Sequence, residues 1–400
     1  MSILIVDDNE ANLFVIEKLL HRAGYSDHIS FTSAHDLLDY VYSESPSTIM
    51  EQVDVILMDI MMPEMDGIEA CRILQENVHL KDIPIIFITA LEDSEKVVEA
   101  LDAGGMDYLM KPINKTELLA RLRVALRLKY EKDWHKQQEA KISAELELSM
   151  QVQTSLLSEP ILQNQLVVKA SYKPAYKLAG DLYYWYQLDQ NRIAVIQLDM
   201  MGHGISSSLV CMFISSVLRD AIRTNPDPEF VISELNRWMV SIHHDQNLPY
   251  YFTAIYLVVD TDKQTIEYIN AGHPTGHVLV EGDQLVELSS NTCAVGFFDN
   301  IRTKKEMIHY KDSVQIILCT DGVHEAIDKY EQKGLEWLKS RSTTLYTEAF
   351  DVEVEPIDLL LSEEQQQAAN DDMCVVLIQA GNLVNTIDSR HNFVESKIVT

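Results

Sequence analysis

Positive charge is what this sequence has least of. It carries 32 Lys and Arg against 62 Asp and Glu, a formal net charge of -30 over 400 residues. A chain without a basic face has little with which to neutralise phosphates, so the balance argues against a nucleic-acid partner. Cysteine is sparse as well. Cys71, Cys211, Cys293, Cys319 and Cys374 are widely spaced, with no CxxC pair and no partnering histidines. Most lie in apolar runs, which points to buried free thiols rather than a disulfide framework or a zinc site. No apolar run approaches the ~18 residues that a membrane span needs. The opening MSILIVDD enters a strand at once, which leaves no signal peptide and sets the expectation of a cytoplasmic protein that meets no membrane. Glycine and proline are missing from a long stretch that ends at Pro160.

What is present begins with length and apolar content. Four hundred residues with 46% hydrophobic character suffice for two or three cored domains. In the first part, Ile3–Val6, Val55–Met58, Ile85–Ile88 and Tyr108–Met110 read as wholly apolar strands separated by amphipathic stretches. Strands without alternation suggest a parallel sheet covered by helices on both faces, with its binding crevice at the strands' carboxyl ends. The polar residues fall at those ends: Asp7 and Asp8, Asp59, Thr89 and Lys111. Three clustered carboxylates would hold one Mg²⁺. That ion and Lys111 would neutralise an incoming phosphoryl group, leaving Asp59 as the nucleophile for an aspartyl phosphate. The Thr89 hydroxyl could then donate to the new phosphate oxygens, and Tyr108 could follow by repacking.

Taken in order, with MPEMDG after Asp59, this set resembles the receiver domain of two-component response regulators over residues 1–127. The resemblance implies an acidic pocket at Asp7 and Asp8, a phosphoacceptor at Asp59, switch roles for Thr89 and Tyr108, a phosphate contact at Lys111 and a cis peptide before Pro112. It also implies a cognate histidine kinase as partner.

Residues 128–158 mix both signs of charge around apolar positions four apart, Ile142, Leu146 and Met150, and Leu148, Val152 and Leu156. The spacing predicts a long connector helix, either lying on its own domain or forming a two-helix coiled coil in a homodimer.

Residues 159–380 show short apolar stretches at Leu166–Ala170, Ile193–Leu198, Ala254–Val259, Thr265–Ile269, Val314–Cys319 and Cys374–Ile378, as expected of antiparallel strands in a sandwich. Helical patterns near Ser206–Arg223 and Glu229–His243 complete an α+β layered β-sandwich. Four aspartates stand where strand meets turn: Asp181 in AGDLYY, Asp199 in LDMMGHG, Asp321 in CTDG and Asp371 in NDDMC. Gathered in space they would form an oxygen-only pocket for two divalent cations, able to acidify a bridging water and stabilise in-line attack on phosphorus. His203 and His273 could orient water or a leaving oxygen, although a structural histidine is the plainer reading of each. The pair His243–His244 reads as a helix end, and the run Tyr183–Tyr186 as packing.

The motifs LDMMGHG, NAGHP, CTDGVHEA and NDDMC resemble the metal-dependent protein phosphatases in their SpoIIE-like branch. That resemblance implies Mn²⁺ or Mg²⁺ and phosphoserine or phosphothreonine hydrolysis. Asp199 would bridge the metals with help from the Met200 carbonyl, and Asp181, Asp321 and Asp371 would complete the ligation. Asp372 stands at a non-ligand position. GDLYY departs from the branch, which often reads GDFYD, so Tyr184 replaces an acid. Residues 342–369 hold seven acids and no Lys or Arg, and read as a solvated insertion or a cover. The tail, 381–400, shows no pattern. The domain order resembles RsbU/RsbY-type regulators of partner-switching pathways, which implies a phosphorylated anti-sigma-factor antagonist as substrate. A decayed phosphatase fold acting as an adaptor, or a phosphatase for a kinase or chemotaxis-type protein, are the alternatives.

Overall fold

A computed structural model describes residues 2–43, 53–90, 94–163, 165–202, 204–243, 250–282, 284–328 and 354–381. The chain forms two compact units, one up to Ser143 and one from Ala144. In the first, β1 (Ser2–Val6), β2 (His28–Phe31), β3 (Val53–Asp59), β4 (Ile85–Thr89) and β5 (Asp107–Met110) form a parallel sheet in the order β2-β1-β3-β4-β5. Successive strand residues serve opposite faces. Leu4, Ile56 and Phe87 pack with helices α2 (Ala34–Ser43) and α3 (Gly67–Glu76). Ile3, Leu57 and Ile88 pack with α1 (Glu10–Arg22) and with Leu118, Leu122 and Ala125 of the final helix. Burial on both faces is why the runs are apolar throughout. Helix α4 (Ser94–Asp102) precedes β5. The final helix, α5, runs unbroken from Lys115 to Ser155, so the receiver's last helix and the connector are one element.

In the second unit two antiparallel sheets face each other. One has the order β14-β11-β10-β9-β8, the other β13-β12-β15-β16-β7-β6. The first contains β8 (Asp181–Gln187), β9 (Arg192–Met200), β10 (Phe252–Asp260), β11 (Thr265–Ala271) and β14 (Glu306–His309). The second contains β6 (Ile161–Gln163), β7 (Leu166–Lys173), β12 (Gly276–Val280), β13 (Gln284–Leu288), β15 (Ser313–Cys319) and β16 (Met373–Gly381). Val195 and Ile255 meet Ile316 and Val376 between the sheets. Ala194, Ile196 and Leu198 instead pack on α6 (Ile205–Thr224) and α7 (Pro228–His243). Beyond the other sheet lie α8 (Asp321–Asp328) and α9 (Glu363–Gln367).

Two expectations need correction. Helix α6 is long and apolar enough to cross a membrane by length and composition. Its apolarity has a structural cause, since Cys211, Ile214, Leu218 and Ile222 are buried in the helix–sheet core. The described part of the acidic 342–369 stretch is neither a solvated insertion nor a mobile cover. Ile357, Leu359, Leu360 and Leu361 are buried against Ile317, Val323 and Leu377, and Lys169 Nζ donates to the Val354 carbonyl at 2.9 Å. Counting acids misled because the apolar residues between them carry the packing. Residues 342–353 and the tail beyond Gly381 lie outside the described residues.

Candidate active site

The receiver pocket forms where β1, β3 and β5 end. Oxygens of Asp7, Asp8 and Asp59 lie within 4.8 Å of one another, with Asp7 and Asp59 buried and Asp8 exposed. Lys111 Nζ donates to Asp7 Oδ2 and to Asp59 Oδ2, both at 2.7 Å. Burial pushes the Asp59 carboxyl up, against the opposing pull of Lys111. Lys111 is itself held above its ordinary value, because the bonds to Asp59 and Asp7 outweigh the cost of its burial. Asn12, which sequence reasoning did not single out, donates to both Asp7 oxygens. Thr89 is fully buried at the end of β4. The peptide before Pro112 is cis. Gly67 is obligatory in MDG, since a Cβ there would stand 2.1 Å from the Asp59 carbonyl oxygen. Tyr108 is half-buried, with the Arg121 guanidinium 5.7 Å from its ring centroid.

The second pocket lies at one end of the sandwich, between the sheets. Asp181 and Asp199 are direct partners across the β8–β9 ladder. Each shares the parity of residues facing the inter-sheet core, Tyr183 and Trp185 on β8 and Ile193 and Val195 on β9. Asp321 opens α8 just after β15, and Asp371 precedes β16, the strand beside β15. These two approach because residue 322 is glycine: a Cβ there would lie 2.2 Å from the Asp372 carbonyl oxygen.

The electrostatics record the convergence. The Asp181 carboxyl is driven far above the carboxylate range by complete burial and then by repulsion from Asp199, Asp372 and Asp321. Asp199 is pushed up to about 8 by burial and by the charges of Asp321 and Asp371. Asp321 is raised by burial and by Asp371. Asp181 Oδ2 is buried without a hydrogen-bond partner among the described residues. A set of oxygen donors that repel one another around an orphaned oxygen fits a hard divalent cation.

Asp372 belongs to the supports rather than the donors. Its oxygens accept from Ala175 N at 2.8 Å and Gly180 N at 2.7 Å, fixing the loop that leads into Asp181. Gln197 Nε2 ties the sheets together below the pocket, donating to the Cys374 carbonyl at 2.9 Å. His273 is buried with Nδ1 2.9 Å from the Thr253 hydroxyl, and burial lowers its pKa to about 3, so the ring is neutral. Thr253 is the ladder partner of Asp199.

Comparison with known proteins finds a match for each part of the chain. Residues 3–123 match the response regulator receiver domain, and residues 189–381 match Stage II sporulation protein E (SpoIIE). The chain joins a receiver domain to a SpoIIE-type domain. Phosphoserine phosphatase RsbP of Bacillus subtilis (strain 168) is 36% identical over 180 residues, 45% of this chain and 45% of that protein. Transcriptional regulatory protein SpaR of Bacillus subtilis is 37% identical over 126 residues, 32% of this chain and 52% of that protein. The chain thus spans about half the length of these curated relatives. The solved SiaA-PP2C domain of Pseudomonas aeruginosa is 18% identical with a TM-score of 0.47, covering 60% of this chain and 97% of that one.

Within the SpoIIE-type domain Asp199, Asp321 and Asp371 fall inside the matched span, and Asp181 lies ahead of it. Tyr184 packs on Arg219, whose guanidinium lies 5.0 Å from its ring centroid. His203 and His244 lie outside the described residues, and His243 closes α7.

Proposed function

We propose that this chain is a metal-dependent protein serine/threonine phosphatase controlled by phosphorylation of Asp59, with a phosphoserine anti-sigma-factor antagonist as its substrate. The observation that carries the reading is that Asp181 and Asp199 face each other across the β8–β9 ladder with Asp321 and Asp371 close enough to raise the Asp199 pKa, while Asp181 Oδ2 is buried without a hydrogen-bond partner among the described residues. The name of RsbP, a phosphoserine phosphatase, supports the substrate class. Asp199, flanked by Asp181 on one side and Asp321 on the other, suits a carboxylate shared between ions, with the Met200 carbonyl beside it. Asp181, Asp321 and Asp371 would supply the remaining protein ligands. Mn²⁺ or Mg²⁺ held there would supply an activated water and neutralise phosphate charge. No cysteine is needed as nucleophile: burial pushes the Cys211 and Cys374 thiols up, away from the reactive thiolate.

In the receiver domain, Asp7, Asp8 and Asp59 would hold Mg²⁺ while a cognate histidine kinase phosphorylates Asp59. Thr89 and Tyr108 would then respond, and Lys111 would bind the new phosphoryl oxygens. The exposed apolar side chains of α5, among them Ile142, Leu148 and Val152, support a homodimer joined along that helix. The alternative of a decayed adaptor would require lost carboxylates, and all four remain.

The test is phosphate release from a phosphoserine antagonist protein in Mn²⁺, with and without acetyl phosphate, alongside Asp199→Ala. Release that rises with acetyl phosphate and is lost in Asp199→Ala is expected. No release from a panel of phosphoproteins, by a folded chain that binds Mn²⁺, would leave the adaptor.

A further inference from the structure

The last turns of α5 are mostly solvated. Val152 is 56% exposed, yet the adjacent Gln153 is only 2% exposed. An amide is buried at low cost only when its donor and acceptor are both satisfied. Here one backbone residue satisfies both. Gln153 Nε2 donates to the Ala179 carbonyl at 2.7 Å, and Ala179 N donates to Gln153 Oε1 at 3.2 Å. The pair mimics a rung of β-ladder laid between a helix side chain and the loop before β8.

That loop has little room to shift. Gly180 N is held by Asp372 Oδ2 at 2.7 Å. On its other side Gly180 lies so close to the Asp199 turn that a Cβ would stand 3.1 Å from the Gly202 carbonyl oxygen and 3.2 Å from that of Met200. Asp181 follows directly. Three residues beyond Gln153, the Leu156 carbonyl accepts from Arg219 Nη2 at 2.7 Å. Arg219 belongs to α6, the helix that leaves the Asp199 turn. The end of α5 and the residue that follows it are therefore bonded to the loop that leads into Asp181 and to the later turns of α6.

We infer that Gln153 is a positioning residue for Asp181, so that cation affinity at the second pocket follows the seating of the last turns of α5. The inference rests on the metal-site reading above. Removing a partner bonded directly to a ligand typically weakens metal binding about 10–100-fold, and Gln153 acts one step further out, on the backbone two residues before Asp181, so the lower end of that range is expected.

The test titrates Mn²⁺ calorimetrically into metal-stripped full-length chain carrying Asp8→Asn and Asp59→Asn, which removes two of the receiver's three carboxylates. Gln153→Met preserves length and packing but removes both bonds, and Gln153→Asn keeps the amide but is too short to span. Each should raise the Mn²⁺ dissociation constant about tenfold. Saturating Mn²⁺ should restore kcat, and exchange of the Ala179 amide should quicken while core amides of α6 stay protected. If either folded variant binds Mn²⁺ as the parent does, the positioning role is wrong. Asp181→Asn separates the two readings. Binding unchanged by Asp181→Asn sinks the metal site itself, and with it this inference. Binding lost in Asp181→Asn but untouched in the Gln153 variants sinks the inference alone.

Discussion

Asp199 has Asp181 across the ladder and the charges of Asp321 and Asp371 nearby, so ionising it without a cation costs free energy. Its folded-state pKa is about 8 against an ordinary 3.8. The folded chain therefore holds a proton that the unfolded chain has released over that window. Metal-free stability should accordingly fall as pH rises from 3.8 through about 8. Asp199→Asn removes the titration, and at pH 8 should stabilise the metal-free protein and raise its Tm. With Asp8→Asn and Asp59→Asn in both chains to disable the receiver's acidic pocket, Mn²⁺ should raise the Tm of the Asp199 form and leave that of the Asp199→Asn form unmoved. Thermal scans across pH, with and without Mn²⁺, check both signs. A metal-free variant less stable than the parent would mean that Asp199 holds the fold together rather than straining it.

Among the elements, α5 is tied to the turn before β4 by one carboxylate as it leaves the receiver core. Asp82 bonds both Lys132 and Lys136. Burial raises the Asp82 pKa, but the two lysines outweigh it, and the net shift is downward. The contribution is thus present at neutral pH and vanishes as pH falls through the lowered value. Both lysines are about half exposed, so solvent screens the pairs and Asp82→Ala should cost only about 1 kcal/mol. Its clearer signature is faster hydrogen exchange over residues 129–136, and the difference from the parent should shrink in high salt. Equal exchange in the two proteins would show that α5 is seated by Leu118, Leu122 and Ala125 alone.

Elements of this kind differ in how plainly the sequence announces them. Wholly apolar runs betrayed β1, β3, β4 and β5, while β2, a four-residue edge strand half-buried throughout, offers no run to read. The aromatic stretch in β8 was legible as packing but not as a strand. The site aspartates stood out because a carboxylate at the end of an apolar strand has no packing reason to be there. Asp372 was separable from Asp371 only by resemblance, and the geometry gives the reason: its oxygens are occupied by backbone N–H groups. Gln153 could not be found, since one polar residue in a charged helix looks like its neighbours until a partner residue 26 positions away buries it.

For the molecule as a whole, the question is how an event at Asp59 could reach Asp181. Tyr108, the expected switch residue, lies beside Arg121, which also bonds Asp107 and Glu117. Arg121 belongs to α5, and so does Gln153. A change in Tyr108 packing would therefore act on the first turns of the helix whose last turns hold the Asp181 loop. A continuous helix transmits a shift or rotation only while its backbone hydrogen bonds persist. Replacing both Gln138 and Glu139 with Gly costs about 1 kcal/mol per site in helix propensity and should make a hinge there. Mn²⁺-dependent turnover without acetyl phosphate should persist in that chain, while the rise with acetyl phosphate is lost, as it should be in Asp59→Ala. The two variants should fail for different reasons, and a phosphate-sensitive gel would distinguish them, because the glycine chain should still take up phosphate at Asp59 and Asp59→Ala should not. A glycine chain that still responds fully would show that the signal bypasses α5.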